Sequence, residues 1–245
     1  ISWLPAGIPL LGVLACLPFW SDPERLKQSA VVWTLVSLAS VAGCASRIEM
    51  PAEGLLPLYL LPLAAMISIL GQPVHEQHRH SWMLTLFFLG LGLSALSSAL
   101  PIALLSTTLL LALVAGLLYR HHSALWPRSW WGIGAYGVGA LCAAASGAAD
   151  VQLSPIISLV ACAVLLPLVP FHDGYLTALT RLPGSLPSFI VVLLPVVGLH
   201  QLATTIPAVS DTVAWTVSLF ALAGASYGAH KALAQSRVRL LLAYG

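Results

Sequence analysis

Long apolar runs, cut by short polar clusters, set the pattern of this chain. The first three cover residues 1–20, 29–46 and 54–71. Each is close to the roughly 20 residues that a helix needs to cross a hydrocarbon layer about 30 Å thick. Residues 81–119 then run for 39 positions without Asp, Glu, Lys, Arg or His. At about 1.5 Å per residue this stretch is too long for one crossing, and it predicts two helices with a tight turn near Pro101. Runs over 129–149 and 151–170, split by Asp150, predict two more. Runs over 185–206 and 212–229 follow, and a further helix begins near Ser236. The expected fold is all-α, a polytopic transmembrane bundle of about ten helices with a break near Pro167 and Pro170. Neither barrel-type alternation nor a solenoid repeat is visible.

Composition sharpens this picture. Hydrophobic residues make up 59% of the 245, charged residues 7%, and the mean hydropathy is +0.94. Soluble chains carry about 25% charged residues, so these few charges cannot clothe a water-facing surface and most of the outside must meet lipid. The same figures exclude disorder. A net charge of +2 with dispersed bases leaves no patch for nucleic acid. Cys16, Cys44, Cys142 and Cys162 sit in apolar runs without a CxxC spacing and read as small core residues. With no P-loop, dinucleotide fingerprint or nucleophile motif, no cofactor and no soluble enzyme chemistry are expected. The first run lacks a basic leader and an A-x-A site, and so reads as a transmembrane helix. Ile1 is not an initiator Met and Gly245 falls inside a helical run, which reads as part of a longer chain.

A stretch from Leu165, LLPLVPFHDGYLTALTRLPGSLPSFIVVLLPVVGLHQL, and a later one, YGAHKALAQSRVRLLLAYG, carry a resemblance. Together they resemble the antiporter-like membrane subunits of respiratory complex I, the Mrp-type antiporters and the membrane-bound hydrogenases. Pro167, Pro170, Phe171, His172, Tyr175, Leu176, Pro183, Gly184 and Ser185 fit the first family block. Tyr227, Gly228, Ala229, Ala232, Gln235, Arg239, Leu241, Ala243 and Tyr244 fit the second. The resemblance implies two inverted five-helix repeats, an arrangement typical of transporters. Residues 1–80 would then hold three leading helices, 81–235 the first repeat and the helix after it, and 236–245 the start of the next helix.

Departures from the family are concentrated in its charged relay. The resemblance places the family's buried glutamate at or near Thr108, its two lysines on Leu165 and Leu194, and a third lysine on Arg239. A buried Lys–Glu set suits proton transfer because burial and pairing push the lysine's protonation in opposite directions. Arginine keeps the charge but holds its proton at physiological pH. Asp173 is inserted beside His172. Between Gly54 and Pro170 no Asp, Glu, Lys or Arg lies at the middle of an expected span. Ser94, Ser97, Ser98, Ser106, Thr107, Thr108, Ser154 and Ser158 remain, and such hydroxyls in lipid most often bond their own helix or pack between helices.

The remaining candidates follow. His172, at the helix break, either carries a proton beside Asp173 or satisfies carbonyls that the prolines leave free; without the family lysines the structural role is the simpler one. His200 belongs near the far end of the next helix. The run QPVHEQHRH has a spacing, His75, His78 and His80, that zinc tolerates, but a solvated loop is the plainer reading. Trp126, Trp130 and Trp131 form an interfacial aromatic belt beside His121 and His122. Glycines from Gly132 to Gly147 should let that helix approach a neighbour closely.

Thr108, His172, Asp173, His200, Lys231 and Arg239 are the ion-path candidates. The function implied is a proton- or sodium-translocating subunit of a multi-subunit, redox-driven membrane complex, not an enzyme by itself. The alternative is a degenerate partner, non-conducting or partly conducting, that docks and energises a catalytic subunit, as in an inorganic-carbon uptake complex. In either case its partners are other subunits and the bilayer.

Basic residues predict the orientation. Alternate loops, starting with the first, hold Arg25 and Lys27, then Arg79, then Arg120 and Arg128, then Arg181, and last Lys231, Arg237 and Arg239; the others hold Arg47 alone. The positive-inside bias puts the first set in the cytoplasm and the N-terminus outside, in a bacterial inner membrane. Single cysteines at Arg25, Arg79, Arg128 or Arg181 should therefore resist an impermeant thiol reagent added outside intact cells. Labelling at any of them would reverse the orientation.

Overall fold

The computed structural model describes residues 4–45, 52–97, 100–120, 128–150, 153–168 and 171–233. Among these residues ten α-helices and no strand are found. They are α1 (Leu4–Cys16), α2 (Pro23–Ala45), α3 (Ala52–Leu70), α4 (Arg79–Ser97), α5 (Leu100–Arg120), α6 (Arg128–Ala148), α7 (Ser154–Leu165), α8 (His172–Arg181), α9 (Leu186–Thr205) and α10 (Asp211–Leu233). Four segments, Pro23–Ala45, Leu100–Arg120, Leu186–Ala208 and Asp211–Lys231, are long and apolar enough to cross a membrane. The 39-residue run yields the two expected helices, α4 and α5, with Pro101 in the first turn of α5, where its missing N–H leaves no helical bond unmade. The break expected near Pro167 and Pro170 separates α7, which ends at Leu165, from α8, which begins at His172, and one boundary differs from expectation: α10 continues past residue 229 to include Lys231. The helix expected from Ser236 lies outside the described residues.

The chain divides into two compact units, Ile1–Leu110 with Leu182–Val197, and Leu111–Arg181 with Gly198–Gly245. In the first unit, Asp22 caps α2: its carboxylate accepts from the N–H groups of Glu24 and Arg25 at 3.1 and 3.2 Å, with Pro23 as the first helical residue. Leu26, Ala30, Thr34, Ser37 and Val41 are the buried stripe of α2, at helical spacing. Cys16, Leu26, Ile69, Trp82 and Leu86 form a core cluster contributed by α1 to α4. The ammonium of Lys27 donates to the carbonyls of Leu70 and Gln72, so a residue expected merely to mark a cytoplasmic loop also caps the end of α3.

Four buried hydroxyls tie α3 and α4 to the start of α9. Ser68 donates to the Ser185 carbonyl at 2.6 Å, and Ser81 Oγ accepts from the Ser185 N–H at 2.7 Å. The hydroxyls of Ser81 and Thr85 lie 2.7 and 3.2 Å from that of Ser185. Gly184 makes this approach possible: its φ is +61°, and a Cβ there would stand 2.5 Å from Ser81 Oγ.

In the second unit α6 is the platform. A Cβ on Gly132 would lie 3.0 Å from Thr177 Cβ and 3.3 Å from the Gly174 Cα, so α8 rests almost backbone to backbone on α6. Gly139 receives Val164 of α7 in the same way, whereas Gly134 and Gly137, on other sides of the helix, meet nothing within 4 Å. The close approach expected of the glycine run thus belongs to part of it.

Ser81→Ala should lower stability by about 1–3 kcal/mol by leaving the buried Ser185 N–H without its acceptor. Gly184→Ala should cost at least about 1–2 kcal/mol from the left-handed backbone alone. Thermal unfolding in detergent checks both, and an unchanged midpoint in either variant would show that the hydroxyl cluster does not hold the α9 turn.

Candidate functional site

The candidate site is built on the break between α7 and α8. The Leu166 N–H still donates to the Cys162 carbonyl at 2.9 Å. Pro167 has no N–H to offer Ala163, and that carbonyl accepts instead from Leu168 at 3.0 Å, one residue beyond the helical register. Pro170 lies outside the described residues. A tight turn, Phe171 N–H to the Leu168 carbonyl at 2.6 Å, opens α8. Asp173 in the first turn of α8 and Arg181 in its last both match the helix dipole.

Three of the candidates come together here. His172 Nε2 stands 3.3 Å from Asp173 Oδ1, with the His172 side chain 18% and the Asp173 side chain 47% exposed. At that exposure the pair contributes at most about 1 kcal/mol to stability, so its interest is chemical. The His172 ring meets Tyr227 of α10 edge to face, centroids 4.9 Å apart. One turn on, the Lys231 ammonium lies 5.5 Å from the centroid of the same Tyr227 ring. An imidazole and a cation therefore share one tyrosine, and a carboxylate pairs with the imidazole.

Beside them is a cavity of about 660 Å³. Gly134, Ala135 and Gly174 leave its space, Trp130, Trp131, Phe171 and Tyr227 wall it, and His172 and Asp173 supply its polar edge. Trp130 is braced against Tyr119, ring centroids 6.3 Å apart. Tyr227 entered the sequence reading only as part of the resemblance. Its spacing of four from Lys231 places both on one helix face, and that was the signal available for it.

Thr108 donates to the Leu104 carbonyl at 2.8 Å, as Thr107 does to Ala103. His200 is half-buried on α9, and Arg239 lies outside the described residues. Leu165 and Leu194, where the sequence resemblance leads one to expect lysines, are fully buried. Among the described residues every helical Asp, Glu, Lys and Arg lies within five residues of a helix end. The histidine run is more ordered than a loop: residues 76–78 form a 3₁₀ turn, and Arg79 and His80 begin α4. His75 Nδ1 accepts from the Gln77 N–H at 3.2 Å, and His80 packs against Trp20 at 4.8 Å between centroids. No group of three or more metal-ligating side chains converges among the described residues.

No protein-family model and no curated protein matches the chain. Its fold aligns over 98% of its length with a chain in a structure of respiratory complex I from Thermus thermophilus with bound aureothin, at a TM-score of 0.73 and 17% sequence identity. It covers 61% of the length of that chain. At this identity the likeness is one of fold: the all-helical membrane bundle is an architecture shared with a chain of that complex.

Proposed function

We propose that this chain is an antiporter-like, ion-translocating subunit of a multi-subunit membrane complex, seated in a bacterial inner membrane with its N-terminus outside. The observation that carries this reading is the meeting of His172 and Lys231 on Tyr227, with Asp173 paired to His172, at the break between α7 and α8. The fold shared with a chain of respiratory complex I supports it. Titratable groups are costly in lipid and mark ion pathways where they occur. An imidazole accepts a proton on one ring nitrogen and donates from the other, so it can pass a proton between a carboxylate and water. His172→Gln keeps hydrogen-bonding groups but cannot carry a proton. It should cut ion-driven uptake in inverted vesicles on the order of a hundredfold, with assembly unchanged. Uptake at the wild-type rate would remove His172 from any path.

A second reading rests on Leu165 and Leu194. Fully buried leucines at the positions where the family resemblance expects lysines favour a partner that docks and energises a catalytic subunit without conducting through this half. Leu165→Met and Leu194→Met conserve volume and should cost less than about 1.5 kcal/mol each. Transport unaffected by these changes and by His172→Gln, with the partner still co-purifying, would select this reading. Lost transport in either Met variant, at normal protein level, would instead show that these positions line a working path.

A further inference from the structure

The geometry points to the cavity beside α8 as a binding site for the ammonium headgroup of a zwitterionic phospholipid. The ion-path reading does not require this site, and the site would exist whether or not the chain conducts.

Three features of the cavity argue for an ammonium. Its walls are aromatic: Trp130 and Trp131 from α6, Phe171 at the break and Tyr227 from α10. Ring faces attract cations, and quaternary or primary ammonium groups are recognised in such cages. Within the same wall stands one carboxylate, Asp173, whose side chain is 47% exposed. That leaves it able to meet a ligand. Finally, the Tyr227 ring already attracts one ammonium, that of Lys231, at 5.5 Å from its centroid.

Lys231 also argues that the ligand is a lipid and not a free amine. A zwitterionic headgroup carries a phosphate a few bonds from its ammonium. With the ammonium among the rings beside Asp173, the phosphate can pair with Lys231, whose ammonium stands by the Tyr227 ring of the cavity wall. Positive and negative groups are thus both answered, whereas an anionic headgroup would bring a second negative charge to Asp173. Trp131, 76% exposed, and Val138, 45% exposed, leave the α6 side of the cavity open for acyl chains to leave along an apolar helix. Tryptophans also favour headgroup depth.

The test is lipid retention by the full chain in nanodiscs of phosphatidylethanolamine and phosphatidylglycerol with matched acyl chains, followed by native mass spectrometry and Trp fluorescence. Phosphatidylethanolamine should be retained about tenfold over phosphatidylglycerol. Asp173→Asn, which keeps shape and removes charge, and Trp131→Leu, on an exposed side chain, should each erase that preference while leaving the melting temperature near wild type. Equal retention of the two lipids, a preference for phosphatidylglycerol, or an unaltered preference in Asp173→Asn would overturn the proposal. Competition by free ethanolamine at millimolar concentration would assign the cage to a small amine and overturn the lipid. None of these readouts involves transport, so failure here leaves the ion-path reading standing, and the reverse.

Discussion

Hydrocarbon offers no partner to a polar atom, and this constraint organises the chain. Every backbone N–H and C=O in lipid must be bonded within the protein, and so must every hydroxyl. The serines and threonines obey it locally: Thr107, Thr108, Ser218 and Ser226 each donate to the carbonyl four residues back. The charges obey it by position. They collect at helix ends, where unsatisfied groups already exist: Asp22 on the free N–H groups of α2, Lys27 on the free carbonyls of α3. The break between α7 and α8 is the place where the rule is hardest to meet, since prolines remove donors there. It is also where His172 and Asp173 are found.

Close packing carries the same requirement into three dimensions. Without a hydrophobic force between helices in lipid, association relies on fit and on interhelical hydrogen bonds. In the first unit fit and polar bonding coincide at Gly184, whose missing Cβ lets Ser81 reach the Ser185 backbone. In the second, Gly132 and Gly174 bring α8 close onto α6, a Ser154 hydroxyl donating to the Ser146 carbonyl at 2.7 Å ties α7 to the same helix, and His172 and Asp173 of α8 stand at the edge of a cavity.

Much of the fold was legible because it follows from one-dimensional patterns. Apolar run length gave the spans, the 39 charge-free residues gave the pair α4 and α5, and the prolines gave the break. The site was legible only in part. His172 and Asp173 stood out as neighbours in sequence, but Tyr227 lies 55 positions from His172, and no local period encodes that meeting. Lys231 was read as a loop cation because charge normally ends an apolar run. In the structure α10 continues two residues beyond it, and one turn of helix joins its ammonium to Tyr227. The link from Ser81 to Ser185 spans 104 positions and uses residue types so common in membrane helices that composition could not single them out.

The absence of charge from the helix interiors bears on how such a bundle could work. A charged group at the centre of a membrane helix costs from about 2.5 kcal/mol upward, and it is tolerated where a partner or water compensates it. Among the described residues this chain avoids that cost by keeping Asp, Glu, Lys and Arg near helix ends. A path built on His172 would place its titratable group at a helix terminus, where backbone carbonyls and Asp173 are at hand, instead of in mid-helix. It would then need water or hydroxyls to continue. The Ser106 hydroxyl donates to that of Ser94 at 2.8 Å, while Thr107 and Thr108 donate to their own helix. A hydroxyl whose proton is fixed on a carbonyl can pass one on only by breaking that bond. In the first unit the hydroxyls of Thr107 and Thr108 thus serve their own helix and those of Ser81 and Ser185 join two helices, while His172 and Asp173 stand at the break.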